Sequence, residues 1–227
     1  MMRDVSAGIA FCKEVADKDP LHCRLTVAAI ANTLLEPEGL HFLVVGGTAV
    51  DTYVSGALGT SESYPARWQE SLDIDAIPLR FLSGASREEV IPLLEPHGFV
   101  PGATRSSLRH PDIPYPIDLV GYGFPDDYSP DHQVTLYNET WEELTLRPVY
   151  LAGAEDILFD YLESGVDTRH QKDWTRALAI STAMLEDLDL DYLYTKAHWR
   201  QDGALVAWLD KLMRGEPLRI GPGLRPY

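Results

Sequence analysis

Apolar residues recur at helical spacing over about residues 3–18 and 20–35, where IAFCKEVA and LTVAAIANTLL predict two helices, the second with Pro20 early in it. Pro37 and Gly39 then break the pattern. The next apolar run, LHFLVV, is short, ends in two valines and is closed by Gly46-Gly47, which predicts a buried strand. TAVDTYVSGAL resumes helical spacing, so a strand, a glycine turn and a helix follow in order. The polar stretch GTSESYPARWQES reads as a loop or an insertion, the inserted segment being set at residues 56–70. SLDIDAIPL alternates: Leu72, Ile74 and Ala76 are expected on one face, and Asp73, Asp75 and Ile77 on the other.

Ser86-Arg87-Glu88-Glu89 has the form of a capping box opening the helix EEVIPLLEPHG, with Pro92 limiting it to an early turn or a kink. FVPGATRSSLRH reads as a strand and its turn, PYPIDLVGYG as a second aspartate-bearing strand, and LRPVYLAG as a short strand or extended connection. From Ala154 the texture turns helical, through AEDILFDYLES, HQKDWTRALAISTAML, DLDYLYTKAHW and ALVAWLDKLM. This places a boundary near residue 150, dividing an α/β core with N-terminal helices (1–150) from a C-terminal helical region (151–227). The tail GPGLRPY reads as an extended terminus.

Composition narrows the class. Of 227 residues, 45% are hydrophobic and 24% charged, which is globular rather than disordered. No apolar run reaches membrane-spanning length, and the N-terminal MMRDVSAGIAFCKEV carries charges where a signal peptide is apolar, so a cytoplasmic protein is expected. The net charge of −16, from 35 acidic and 19 basic residues, argues against broad non-specific binding of nucleic acid and leaves room for a local basic groove. Cys12 and Cys23 are expected to be free thiols. His97, His110, His132 and His170 have no metal-ligand spacing, and Ser61 and Ser63 beside Glu62 have no histidine nearby for a Ser-His-Asp arrangement. Glu155-Asp156, at a helix start, is expected to complement the helix dipole, and the C-terminal aromatic residues to pack a core.

Asp73 and Asp75 carry the chemistry. Two apart on a strand, they project from the same face, and adjacent carboxylates there raise one another's pKa. A divalent cation relieves both repulsion and desolvation, and hard oxygen ligands at this spacing suit Mg²⁺ or Mn²⁺. Asp118, amid the apolar neighbours of YPIDLVG, supplies a third oxygen ligand if its strand lies beside the first. Paired carboxylates of a glycosidase stand on separate elements about 5–9 Å apart, so positions 73 and 75 suit a shared metal better.

The order LVVGGTAV, LDIDAI, PIDLV resembles the nucleotidyltransferase superfamily, the fold of DNA polymerase β and of the minimal nucleotidyltransferases. The segment AEDILFDYLESGVDTRHQKDWTRALAI resembles the helical pair of its AbiEii-like toxin branch. Together the resemblances cover about residues 40–182. They imply an α+β fold, with a mixed β-sheet flanked by helices and followed by a C-terminal helical region. They also imply a metal-dependent transfer of NMP from an NTP to a hydroxyl-bearing acceptor: an RNA end such as tRNA, a protein or a small molecule. In the toxin setting an antitoxin protein is the partner. Gly46 and Gly47 would let backbone amides approach the triphosphate, with Thr48 one place beyond the serine of the strict pattern. Asp73 and Asp75 would bind the metal ions, and Asp118 would help hold the second metal and assist deprotonation of the acceptor. Arg80 and Lys172 are the basic candidates for the triphosphate. The alternative is a non-catalytic module that binds a nucleotide or a protein in the same cleft.

Overall fold

The computed structural model describes residues 2–58, 71–80, 83–120, 128–168, 170–200 and 203–214. From residue 59 on, the polar stretch expected over 56–70 lies outside these, as do Ser61, Glu62, Ser63 and the GPGLRPY tail. The described residues fall into two compact units. One is drawn from Met1–Asp51 and Glu70–Ala152, the other from Thr52–Gln69 and Gly153–Tyr227.

The first unit is built on a helix that is buried on every side along most of its length. Helix α1 (Met2–Val15) precedes α2 (Pro20–Leu35), which opens on Asp19 accepting a hydrogen bond from the His22 amide, with Pro20 preset for the first turn. Every residue of α2 from Cys23 to Leu35 is buried, as expected of a helix without a polar face. Two of its polar side chains, Asn32 and Thr33, bond to segments outside the helix. Asn32 donates to the Pro148 carbonyl at 2.9 Å and accepts from the Phe42 amide at 2.7 Å, pinning the helix to the sheet. Thr33 donates to Ala29 and accepts from the Arg147 amide. Cys12 and Cys23 are free and fully buried, each thiol donating to the other's backbone carbonyl.

A turn ending at Gly39, which has φ +70°, leads into β1 (Leu40–Val44). Helix α3 (Gly46–Leu58) follows, then β2 (Ile74–Arg80), β3 (Ser83–Gly84) and α4 (Arg87–Leu94). A hairpin of β4 (Val100–Pro101) and β5 (Ser107–Arg109) leads to β6 (Ile117–Leu119). Next come β7 (Val134–Leu136), a short α5 (Glu139–Glu143) and β8 (Val149–Leu151). Among the described residues eight strands form one mixed sheet, in the order β4-β5-β6-β2-β1-β8-β7, with β3 paired to β2. Strand β2 runs antiparallel to β1 and parallel to β6; β8 runs parallel to β1. The fold is therefore the α+β class, a mixed sheet flanked by helices.

One face assignment changes. Leu72 is 72% exposed, because β2 begins only at Ile74 and the alternation does not extend back to residue 72. From Ile77 to Leu79 both faces of β2 are apolar and buried, so its polar positions are Asp75 near the start and the exposed Arg80 at the end.

The second unit contains α6 (Ala154–Thr168), α7 (Gln171–Met184), α8 (Leu190–Trp199) and α9 (Gly203–Met213). Trp174 fits against Gly165, where a side chain would meet the indole, and stacks on Trp208 with ring centres 3.8 Å apart. Glu155 and Asp156 are buried rather than displayed to the helix dipole alone. Glu155 accepts from the Asp189 amide at 2.9 Å, while Asp156 takes Tyr192 Oη and Lys196 Nζ at 2.6 Å each, tying α6 to α8. Among the described residues no helix is long and apolar enough to cross a membrane.

Candidate functional site

Sheet register assembles an acidic cluster at the start of β2. Asp75 stands directly beside Asp118 on the neighbouring parallel strand, and Asp73 precedes β2 by one residue. Carboxylate oxygens of Asp73, Asp75 and Asp118 all lie within 4.8 Å of one another, each side chain half-buried. Burial and the charge of Asp73 push the Asp118 carboxyl above its ordinary value, against a weaker opposing hydrogen bond from the Thr104 hydroxyl. Three hard oxygen donors converging in a half-buried place form the donor set of a divalent cation such as Mg²⁺. The residues fit such an ion.

The glycine turn lies against this cluster. The Val45 amide donates to the Asp75 carbonyl at 2.9 Å, and β1 gives way at once to α3. Gly46 has φ +61°, and a β-carbon there would overlap the Asp75 carboxyl group. The residue is glycine for two reasons: its backbone is left-handed, and Asp75 occupies the space a side chain needs. The N-terminus of α3 is thereby brought to the carboxylates, where its dipole favours negative charge. Gly47 is buried in the first turn. Thr48 is fully buried and its hydroxyl donates to the Asp73 carbonyl at 2.8 Å, so it holds the start of the aspartate strand.

Behind Asp73 is a buried polar relay that sequence reasoning missed. Arg24 on α2 and Asp51 on α3 form an ion pair at 2.8 Å, with side chains 0% and 3% exposed. Both grip Ser71: Arg24 donates to its carbonyl at 2.6 Å, and Asp51 accepts its amide at 3.1 Å. The Ser71 hydroxyl in turn donates to Asp73 Oδ1 at 2.9 Å. A lone arginine inside LHCRLTVAAI and a lone aspartate inside VGGTAVDTYV were the available signals, each a charge in an apolar helix.

Asp118 is approached from the β4–β5 turn. The buried Ser107 hydroxyl accepts the Thr104 amide at 3.0 Å and donates to the Thr104 carbonyl, fixing the turn so that Thr104 Oγ1 reaches Asp118 Oδ1 at 3.4 Å. Gly102 is required there, since a side chain would overlap the Ser107 hydroxyl.

The two basic candidates are not brought to the cluster within this unit. Arg80 stands at the opposite end of β2, opposite Leu40, and is held by Glu89 at 2.9 Å. Lys172 lies in the helical unit, exposed in the first turn of α7.

No protein-family model matches the chain, and no curated protein matches it in sequence. Solved structures do resemble it. An antigenic nucleotidyltransferase-like protein from Paracoccidioides brasiliensis aligns with a TM-score of 0.55 at 16% identity, over 88% of this chain and 90% of that one. The antibiotic-resistance factor ANT(2'')-Ia aligns at a TM-score of 0.46 and 15% identity, over 85% and 96% of the two chains. The polyadenylate synthase of Megavirus aligns at 0.41 and 13%, over 77% of this chain and 34% of that one. The first likeness shows that the two chains share a fold. At these identities it speaks for the fold alone, and chemistry has to be argued from the site.

Proposed function

We propose that the protein is a metal-dependent nucleotidyltransferase, moving an NMP from an NTP to a hydroxyl-bearing acceptor. The observation that carries this reading is the convergence of Asp73, Asp75 and Asp118 within 4.8 Å beside the Gly46 turn. In this reading all three aspartates hold Mg²⁺ or Mn²⁺. When bound, such an ion supplies charge neutralisation and Lewis-acid polarisation of phosphoryl oxygens. The chain's own residues do the rest. The α3 N-terminus and the glycine turn face the negative charge of the triphosphate. Thr48 and the Arg24–Asp51–Ser71 relay keep Asp73 in register. Asp118 accepts the proton of the acceptor hydroxyl, whose oxygen attacks the α-phosphorus as the bond to the bridging oxygen breaks and pyrophosphate leaves.

The acceptor is an RNA end, a protein or a small molecule. A toxin-type setting with an antitoxin partner rests on the α6–α7 sequence pattern alone.

Incubation of the full chain with each labelled NTP, Mg²⁺ or Mn²⁺ and candidate acceptors tests the reading. Pyrophosphate release and label on an acceptor are expected from the wild type and not from Asp73→Asn/Asp75→Asn. If nucleotide binds by calorimetry but no acceptor is ever labelled, a non-catalytic binding module replaces the enzyme. If no nucleotide binds in a metal- and aspartate-dependent way, the reading is lost.

A further inference from the structure

A cavity of about 760 Å³ opens between the start of α4 and the β4–β5 turn, lined by Ser86, Arg87, Glu88, Ile91, Arg105 and Ser106. It adjoins the acidic cluster through that turn. The Ser106 hydroxyl lies 3.3 Å from the Thr104 hydroxyl, which reaches Asp118.

Arg24, Arg80, Arg147 and Arg200 each hold a carboxylate. The guanidinium groups of Arg87, half-buried, and Arg105, exposed, make no ion pair or hydrogen bond among the described residues. Arg87 is also the first residue of α4, so a cation sits at the positive end of a helix dipole, where it is disfavoured unless an anion joins it. The carboxylate best placed to compensate is already taken. Glu89 accepts from the Ser86 amide at 2.8 Å and from Arg80 at 2.9 Å, and the first of these holds its carboxyl below the ordinary value. Glu88 alone brings negative charge to the lining. The amides of Arg87 and Glu88, the first two of the helix, have no acceptor within it. Two arginines unpaired among the described residues, the first two residues of α4 and two serines thus line one cavity in a protein of net charge −16.

We propose that this cavity is a phosphate-binding subsite, seating a phosphate group of a substrate between Arg87 and Arg105 beside the acidic cluster. Guanidinium groups match phosphate oxygens with paired, charge-assisted hydrogen bonds. The fixed β4–β5 turn couples the position of that phosphate to Asp118. The phosphate is either part of the NTP itself or carried by the acceptor. Its role as a substrate subsite rests on the nucleotidyl-transfer reading; the binding itself does not.

Pyrophosphate titrated into the full chain in EDTA reads the cavity without metal at the aspartates. The wild type is expected to bind it, more weakly as salt is raised. Arg87→Gln/Arg105→Gln should lower the affinity at least about tenfold through loss of the charge-assisted bonds. Arg87→Lys/Arg105→Lys should keep part of it, and Asp73→Asn/Asp75→Asn should keep all of it. No binding by the wild type, or equal affinity in the glutamine variant, overturns the proposal. The two sources separate in a second titration with the NTP and Mg²⁺. A parallel loss of NTP affinity in the glutamine variant assigns the phosphate to the nucleotide, and unchanged NTP affinity assigns it to the acceptor. Retained pyrophosphate binding with no NTP turnover would sink the transferase reading and leave the subsite standing.

Discussion

Gly46 and Asp75 compete for one volume, and that fixes both. Gly46→Ala would place a methyl group into the Asp75 carboxyl and force a left-handed backbone on alanine. Backbone strain of this kind costs about 1–3 kcal/mol. Gly46→Ala is therefore expected to lower the unfolding free energy measured in urea by about that much and to weaken metal binding. Adding Asp75→Ala to it should restore part of the stability, a coupling that a double-mutant cycle reads directly. Asp75→Asn alone should cut pyrophosphate release by at least about 10²-fold, since several kcal/mol of transition-state charge stabilisation are at stake. Its metal-free stability should not fall, because one of three crowded carboxylates loses its charge.

At the level of elements, α2, α3 and the segment before β2 are joined by the Arg24–Asp51 pair through Ser71. Breaking one partner of a buried pair leaves the other uncompensated, at a cost of about 3–5 kcal/mol. Arg24→Met should lose about that in denaturant unfolding, and Arg24→Met/Asp51→Leu should recover most of it. Ser71→Ala separates position from stability. It removes one side-chain hydrogen bond, worth about 1 kcal/mol, and frees Asp73 to rotate. Metal affinity, followed by titration with Mn²⁺, should then fall about 10–100-fold, as when the outer support of a ligand is lost.

For the molecule as a whole, pH acts on stability through two histidines held below their ordinary value. His41 on β1, in tilted ring contact with Tyr150 at 4.7 Å, and His110, buried beside Phe99, are both held below the ordinary imidazole value of 6.5, chiefly by burial. His110 Nδ1 accepts the Asp112 amide, which keeps that nitrogen unprotonated in the fold. The unfolded chain therefore binds protons that the folded chain refuses. Stability is full above about 6.5 and falls as the pH drops through that value toward the depressed ones. Thermal unfolding between about pH 8 and about pH 5 should show this loss, and His41→Gln should flatten it.

The chain's own pattern carries much of the fold. An apolar run closed by two glycines, an alternating D-x-D segment and a capping box each report a local preference, and local preferences are legible without neighbours. The elements found at α1, α2, β1, α3 and α4 follow from such signals. The short strands β3 and β7 do not, since their pairing partners rather than their composition make them. Periodicity likewise could not tell that Arg80 lies at the wrong end of β2 to join Asp75, or that Glu155 and Asp156 turn inward to α8. Which groups share a place depends on register and on contacts between residues far apart in sequence. The sequence by itself determined that three aspartates and a glycine turn exist on predicted elements. Only the tertiary structure decided that β2 and β6 run side by side, so that Asp75 and Asp118 meet. It also decided that Gly46 has to be glycine because of Asp75, and that Arg24, Asp51 and Ser71 stand behind Asp73. Backbone pairing and close packing set those distances, and no single segment encodes them.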